Sequence, residues 1–141
     1  MQFWTHFMQK EERMRAYYIN GKTDEHGQID IEPKLEEYYR LIGCRCVDFA
    51  VREIDGHEYN IICDDEGLLK PNRITAISVM SNAFGERERL AGNLIIFGVD
   101  RDNYEHGCKS LTDEELLQIQ RRMVMGVFAD GPEHPTLWYT R

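Results

Sequence analysis

Cys44-Arg45-Cys46-Val47-Asp48-Phe49-Ala50-Val51-Arg52-Glu53-Ile54-Asp55-Gly56-His57-Glu58-Tyr59-Asn60-Ile61-Ile62-Cys63 is the stretch that decides the fold class. From Cys44 to Glu53 the pattern has period two, with Val47, Phe49 and Val51 on one face and Asp48 and Arg52 on the other. Successive side chains of a strand point to opposite sides, so this is strand periodicity. Asp55-Gly56 is a hairpin dipeptide, because the tight turns that join antiparallel strands need positive φ. Residues 58–63 then return as the partner strand. A hairpin inside a chain that also carries helical periodicity predicts an α+β domain built on an antiparallel or mixed sheet.

Toward the N-terminus, Arg15-Ala16-Tyr17-Tyr18-Ile19 is rich in strand formers and stops at the turn dipeptide Asn20-Gly21. Residues 22–28 read as a polar loop and 29–31 as a brief extended stretch. Pro33 suits a first helical turn; Leu35, Tyr38, Tyr39 and Ile42 follow at helical spacing, and Gly43 is placed to end the helix. Toward the C-terminus, residues 73–80 do not settle between helix and strand, and 81–89 read as a polar loop. Residues 92–99 are the best central-strand candidate. After a polar connection over 100–110, Thr112-Asp113-Glu114-Glu115 has the form of a capping box. It opens a helix whose predicted apolar face is Leu116, Ile119, Met123 and Val127. The expected whole is a single small domain over 14–126, with a sheet of about four strands backed by two or three helices. Residues 127–141 form a tail whose aromatic end, Leu137-Trp138-Tyr139, either packs on the body or docks a partner.

Residues 1–13 are read apart. Phe3, Trp4, Phe7 and Met8 would give a short helix one apolar face, yet Lys10-Glu11-Glu12 ahead of Met14 can be encoded by a purine-rich ribosome-binding string. The expectation is a leader read in frame, or else that short helix.

The 141 residues are 42% hydrophobic, which fits a folded domain, and carry a net charge of −8. Direct binding to nucleic acid or an anionic membrane needs a basic face and is not expected. An acidic balance fits a solubilised monomer or a surface that docks on a basic partner, and a homo-oligomer is left open. No apolar run approaches a membrane span and no signal-peptide order opens the chain, so the expected location is the cytoplasm. Cys44, Cys46, Cys63 and Cys108 are accordingly read as free thiols.

The strongest local feature is Asp64-Asp65-Glu66-Gly67-Leu68-Leu69-Lys70-Pro71-Asn72. Three consecutive acids after a strand can bind a divalent cation, act as acid and base, or solvate a turn. Their spacing does not match a calcium loop, which alternates its oxygen ligands. Cys44-Arg45-Cys46 with His57 or Cys63 would make a metal site only without the usual zinc spacing, and buried structural thiols are the simpler reading. Cys63 with His57 as a nucleophilic pair lacks an orienting third group. His26, His106 and His134 sit in polar stretches and read as surface residues. No glycine-rich phosphate loop is present, since Gly92 and Gly98 bracket a strand.

The acidic pair and Gly that close a strand in residues 63–70, then Pro71-Asn72, then Ala91-Gly92-Asn93 leading a strand to Gly98, then Ser110-Leu111-Thr112-Asp113-Glu114-Glu115-Leu116 form an ordered set. Together they resemble an uncharacterised domain family of bacteriophages and conjugative or other mobile elements, over residues 14–125. The chain differs at Asp65, where Glu is expected, in the insert at 81–89, and beyond Gly126. The resemblance implies a phage or mobile-element setting in a bacterial host and brings no catalytic residue or cofactor with it.

The expected function is a non-enzymatic accessory protein that binds a host protein or a small anionic or nucleotide ligand, in a counter-defence role by analogy. Asp64, Asp65, Glu66, Asn72, Arg73 and Asn93 are the candidate ligand contacts, as polar loop residues beside a rigid strand. The alternatives are a metal-dependent hydrolase using Asp64, Asp65 and Glu66, and an acidic nucleic-acid mimic. Interspersed basic residues tell against the mimic.

Overall fold

The computed structural model describes residues 13–66, 76–80, 87–100, 102, 107–127 and 133–140. Residues 1–12 of the 1–13 segment and the part of the 64–72 stretch beyond Glu66 lie outside them. The described chain is α+β and richer in strand than its sequence pattern suggests, with ten strands and two helices where about four strands were expected.

Five strands form the path of the larger sheet: β1 (Met14–Ile19), β2 (His26–Ile31), β3 (Val47–Ile54), β4 (His57–Asp64) and β7 (Leu94–Val99), in the order β2-β1-β7-β4-β3. Every ladder in it is antiparallel. The short strand β8 (Cys108–Lys109) extends it by pairing with Gly98 and Val99 of β7. The central hairpin forms as the sequence predicts: Asp55 (φ 52°) and Gly56 (φ 84°) turn the chain, and Ile54 pairs with His57.

Strand β7 is central because both of its faces are apolar. Leu94 and Ile96 enter one core with Tyr17, Ile19, Ile54, Tyr59, Ile61, Leu111, Ile119 and Leu137. Ile95 and Phe97 enter the other with Ala16, Ile31, Tyr38, Ile42, Ile62 and Cys108. Each large apolar side chain withdrawn from water stabilises the fold by about 1.5–3 kcal/mol. A strand that is apolar on successive residues therefore belongs inside a sheet covered on both faces.

Helix α1 (Leu35–Ile42) covers the second core through Tyr38 and Ile42, while Leu35 remains exposed. Gly43 caps it in a left-handed conformation, its N–H donating to Tyr39 O at 2.8 Å. Pro33 lies just before the N-cap residue Lys34 and so outside the helix. Phe49 and Val51, expected on an apolar face, are largely exposed, and Ala50 and Ile54 are buried instead. Strand β3 is an edge, so one face can be apolar without being fully covered.

The first core is closed by helix α2 (Asp113–Arg121) and a second sheet. That sheet holds β5 (Ala76–Met80), β6 (Arg87–Ala91), β9 (Met123–Val127) and β10 (Glu133–Thr140) in the order β6-β5-β10-β9. The β5–β10 ladder is parallel and its neighbours antiparallel, so this sheet is mixed. One open reading is decided here and two are corrected. The ambiguous 73–80 stretch contains strand β5, and the expected loop at 81–89 enters strand β6 at Arg87. The helix expected to present Met123 and Val127 ends at Arg121, and both residues belong to β9. Long-range pairing overrides local helical spacing: β10 offers Met123–Val127 a full ladder, and Arg122 O accepts from Trp138 N–H at 2.9 Å. Leu137 of β10 is fully buried in the first core. Among the described residues no helix is long and apolar enough to cross a membrane.

Candidate functional site

The first turn of α2 builds the most organised polar cluster in the described chain. The Thr112 hydroxyl accepts from Glu115 N–H at 3.1 Å, and Glu115 Oε1 accepts from Thr112 N–H at 2.9 Å, so the capping box read from sequence is complete. Its acid does a second job. Glu115 is 6% exposed, and its Oε2 lies 2.6 Å from His57 Nε2, at the start of β4. Burial alone pushes the Glu115 carboxyl up, but the Thr112 N–H and the His57 ring outweigh it and hold the group below the usual carboxylate range.

Tyr59 continues the cluster along β4. Its ring stands edge-on to His57, with centroids 5.1 Å apart, and its hydroxyl donates to Gln118 Oε1 one turn along α2. Burial raises its pKa above that of a free phenol, so it acts as a neutral donor. Gly98 makes room for this arrangement. A Cβ at that position would sit 3.2 Å from Lys109 Cγ and 3.4 Å from both Glu115 carboxylate oxygens. The hairpin turn is tied to the end of α2 by a two-pronged ion pair between Asp55 and Arg122.

His57 stands between two open clefts. One, of about 710 Å³, is bordered by Glu53, Glu58, Asp100, Asp102 and Glu115, with Lys109 as its one lysine or arginine among the described residues. The other, of about 730 Å³, runs beside α2 past Asp55, Gln118, Arg121 and Arg122, where the charges balance more closely. In the first, Glu53 of β3 stands directly opposite Glu58 of β4 in the hairpin register. Like charges in that position oppose one another.

The residues singled out from sequence lie at the other end of β4. His57 begins that strand and Asp64 ends it, seven residues on, which is about 23 Å of extended chain. Asp64 Oδ1 accepts from Glu66 N–H at 2.9 Å, and Asp65 N–H donates to Cys46 O at 3.2 Å. Asp65 and Glu66 are exposed on this turn. A Cβ on Gly92 would lie 3.9 Å from Asp64 Cβ, so the acidic turn and the Gly92-Asn93 pair share one end of the sheet. Asn93 ties three segments together there: its Oδ1 accepts from Gly21 N–H at 2.9 Å, and its Nδ2 donates to Leu41 O at 3.2 Å and to Tyr18 Oη at 3.4 Å. Asn72 and Arg73 lie outside the described residues. The structure thus brings Asp64 and Asn93 together and places the His57–Glu115 cluster elsewhere.

The thiols divide by burial. Cys63 and Cys108 are buried, which pushes each up to about 12 and keeps it protonated at neutral pH. Cys46 is exposed. Among the described residues no three His, Cys, Asp or Glu side chains are grouped to hold a metal ion. Sequence reading missed the pairing of His57 with Glu115 because 58 positions separate them. The available signal was the capping-box acid, whose second oxygen is free to reach another element.

No curated protein and no solved structure matches the chain. One family does, over residues 14–124, from the first strand of the large sheet into β9. The chain belongs to that family, described as a domain of unknown function (DUF3846).

Proposed function

We propose that this chain is a non-enzymatic binding protein that receives a basic segment of a partner protein in the cleft beside His57. The observation that carries the reading is the make-up of the cleft's border, where Glu53, Glu58, Asp100, Asp102 and Glu115 stand with Lys109 as the one lysine or arginine among the described residues. A border richer in carboxylates than in cations favours a cationic ligand, and lysine or arginine side chains supply one with a shape a cleft can select. A small anion or nucleotide finds less support, since Lys109 is the one lysine or arginine among the described residues bordering this cleft. The hydrolase alternative rests on Asp64, Asp65 and Glu66, where Asp64 already accepts a backbone N–H within the turn. The sequence resemblance supports an accessory role for a bacteriophage or mobile element acting on a host factor.

Fluorescence anisotropy with a labelled Lys/Arg-rich peptide tests the binding. We expect saturable binding that weakens with salt, and that Asp100→Lys with Asp102→Lys removes. The same charge change at Asp30 and Glu36, away from the cleft, should leave most of it. Equal loss from both pairs of substitutions would mean that net charge alone attracts the peptide, and the proposed cleft would then be wrong.

A further inference from the structure

We infer that the exposed edge strand β3 pairs with β3 of a second copy of this chain, antiparallel and centred on Ala50. Among the described residues strand β3 ends the larger sheet, and its apolar residues Phe49 and Val51 are 42% and 47% exposed. Two backbone groups on its outer side are engaged by its own side chains. Phe49 N–H donates to Asp48 Oδ1 at 2.9 Å, and Arg52 Nη1 donates to Val51 O at 3.0 Å. In an isolated chain those contacts shield the edge. Groups of the same odd-numbered residues would carry the ladder to a new strand, because antiparallel strands direct alternate residues to opposite neighbours.

A second copy matches this edge in charge as well as in backbone. With Ala50 on the twofold axis, Phe49 lies opposite Val51 of the partner, and Asp48 lies opposite Arg52, each twice by symmetry. The two side chains that cap the edge in one chain are thus each other's ion-pair partners in two. Asp48 and Arg52 would occupy the non-hydrogen-bonded positions, where cross-strand side chains approach most closely. The overall charge of −8 opposes association at long range. At about 0.15 M salt that repulsion is screened beyond about 8 Å, while the contact pairs persist.

Sedimentation equilibrium of the full chain over a wide concentration range tests the pairing. We expect reversible dimers. Asp48→Arg and Arg52→Asp should each weaken self-association by roughly tenfold or more, since each sets like charges opposite one another twice. Mixing the two variants should restore a dimer, because opposite charges then face one another at both contacts: two arginines on one chain meet two aspartates on the other. Unchanged circular dichroism and thermal midpoints separate this from unfolding. A wild-type chain that stays monomeric throughout would overturn the inference and leave the edge to a strand of another protein. Variants that dimerise like wild type, or that fail to associate when mixed, would overturn it too. Peptide binding at the cleft is read separately, so either proposal can fail alone.

Discussion

Glu115 Oε2 lies 2.6 Å from His57 Nε2, and this one contact joins the first turn of α2 to the first residue of β4. The carboxylate serves both as a helix cap and as a brace for a half-exposed imidazole. A residue read from sequence as a local capping element is thus also a long-range one.

Replacing Glu115 by Ala should cost more than losing a cap alone. The Thr112 N–H and the His57 ring both lose their acceptor in a nearly buried place, so we expect a loss of about 2–3 kcal/mol. Thr112→Ala, which removes one half of the box, should cost about 1 kcal/mol. Urea unfolding of the two variants beside wild type measures the difference; equal losses would show that the His57 contact adds nothing.

The same acid predicts a pH dependence. Its folded pKa is below the ordinary 4.5, so its ionisation stabilises the fold fully above that value. The contribution is lost as pH falls through the lowered folded value. The gap in unfolding free energy between wild type and Glu115→Gln should therefore narrow as pH falls below 4.5. A gap that widened as pH fell below 4.5 would reverse the assigned direction.

Gly98→Ala tests the packing that admits this pair. The added methyl meets Lys109 Cγ at 3.2 Å and the carboxylate of Glu115 at 3.4 Å, so the neighbours must shift. We expect about 1–3 kcal/mol of destabilisation and a displaced His57 ring resonance in proton NMR. A stable variant with an unmoved His57 signal would show that the site yields without cost.

Leu137→Ala asks how firmly β10 belongs to the core. The side chain is fully buried in the cluster that holds Ile54, Ile61 and Ile119, so its truncation should cost about 2–5 kcal/mol. Thermal denaturation reads the effect, and a loss near zero would detach β10 from the core.

Thiol labelling checks the burial of the cysteines. Cys46 should react first with an aromatic disulfide reagent in the native chain, and Cys63 and Cys108 only on unfolding. Mass spectrometry of partly labelled protein locates the modified residues.

Much of this was readable in the chain itself. The Asp55-Gly56 hairpin, the α1 stop at Gly43, the central strand β7 and the Thr112–Glu115 box all depend on a few neighbouring residues. Turn dihedrals, side-chain alternation and cap hydrogen bonds are local properties, so local sequence carries them. The second sheet was not readable. Residues 87–91 and 123–127 are strands because partners in β5 and β10 supply their hydrogen bonds, and nothing in their own composition names those partners. The candidate site divides the same way. Sequence pointed to Asp64 and Asn93, which the sheet does bring to one end, whereas the meeting of Glu115 with His57 required α2 to lie across the start of β4. What the sequence determined by itself is the α+β class and the elements that close on themselves. Which strands share a sheet, and which acid stands behind which histidine, was decided by tertiary packing, because those contacts are made only when residues far apart in the chain are buried together.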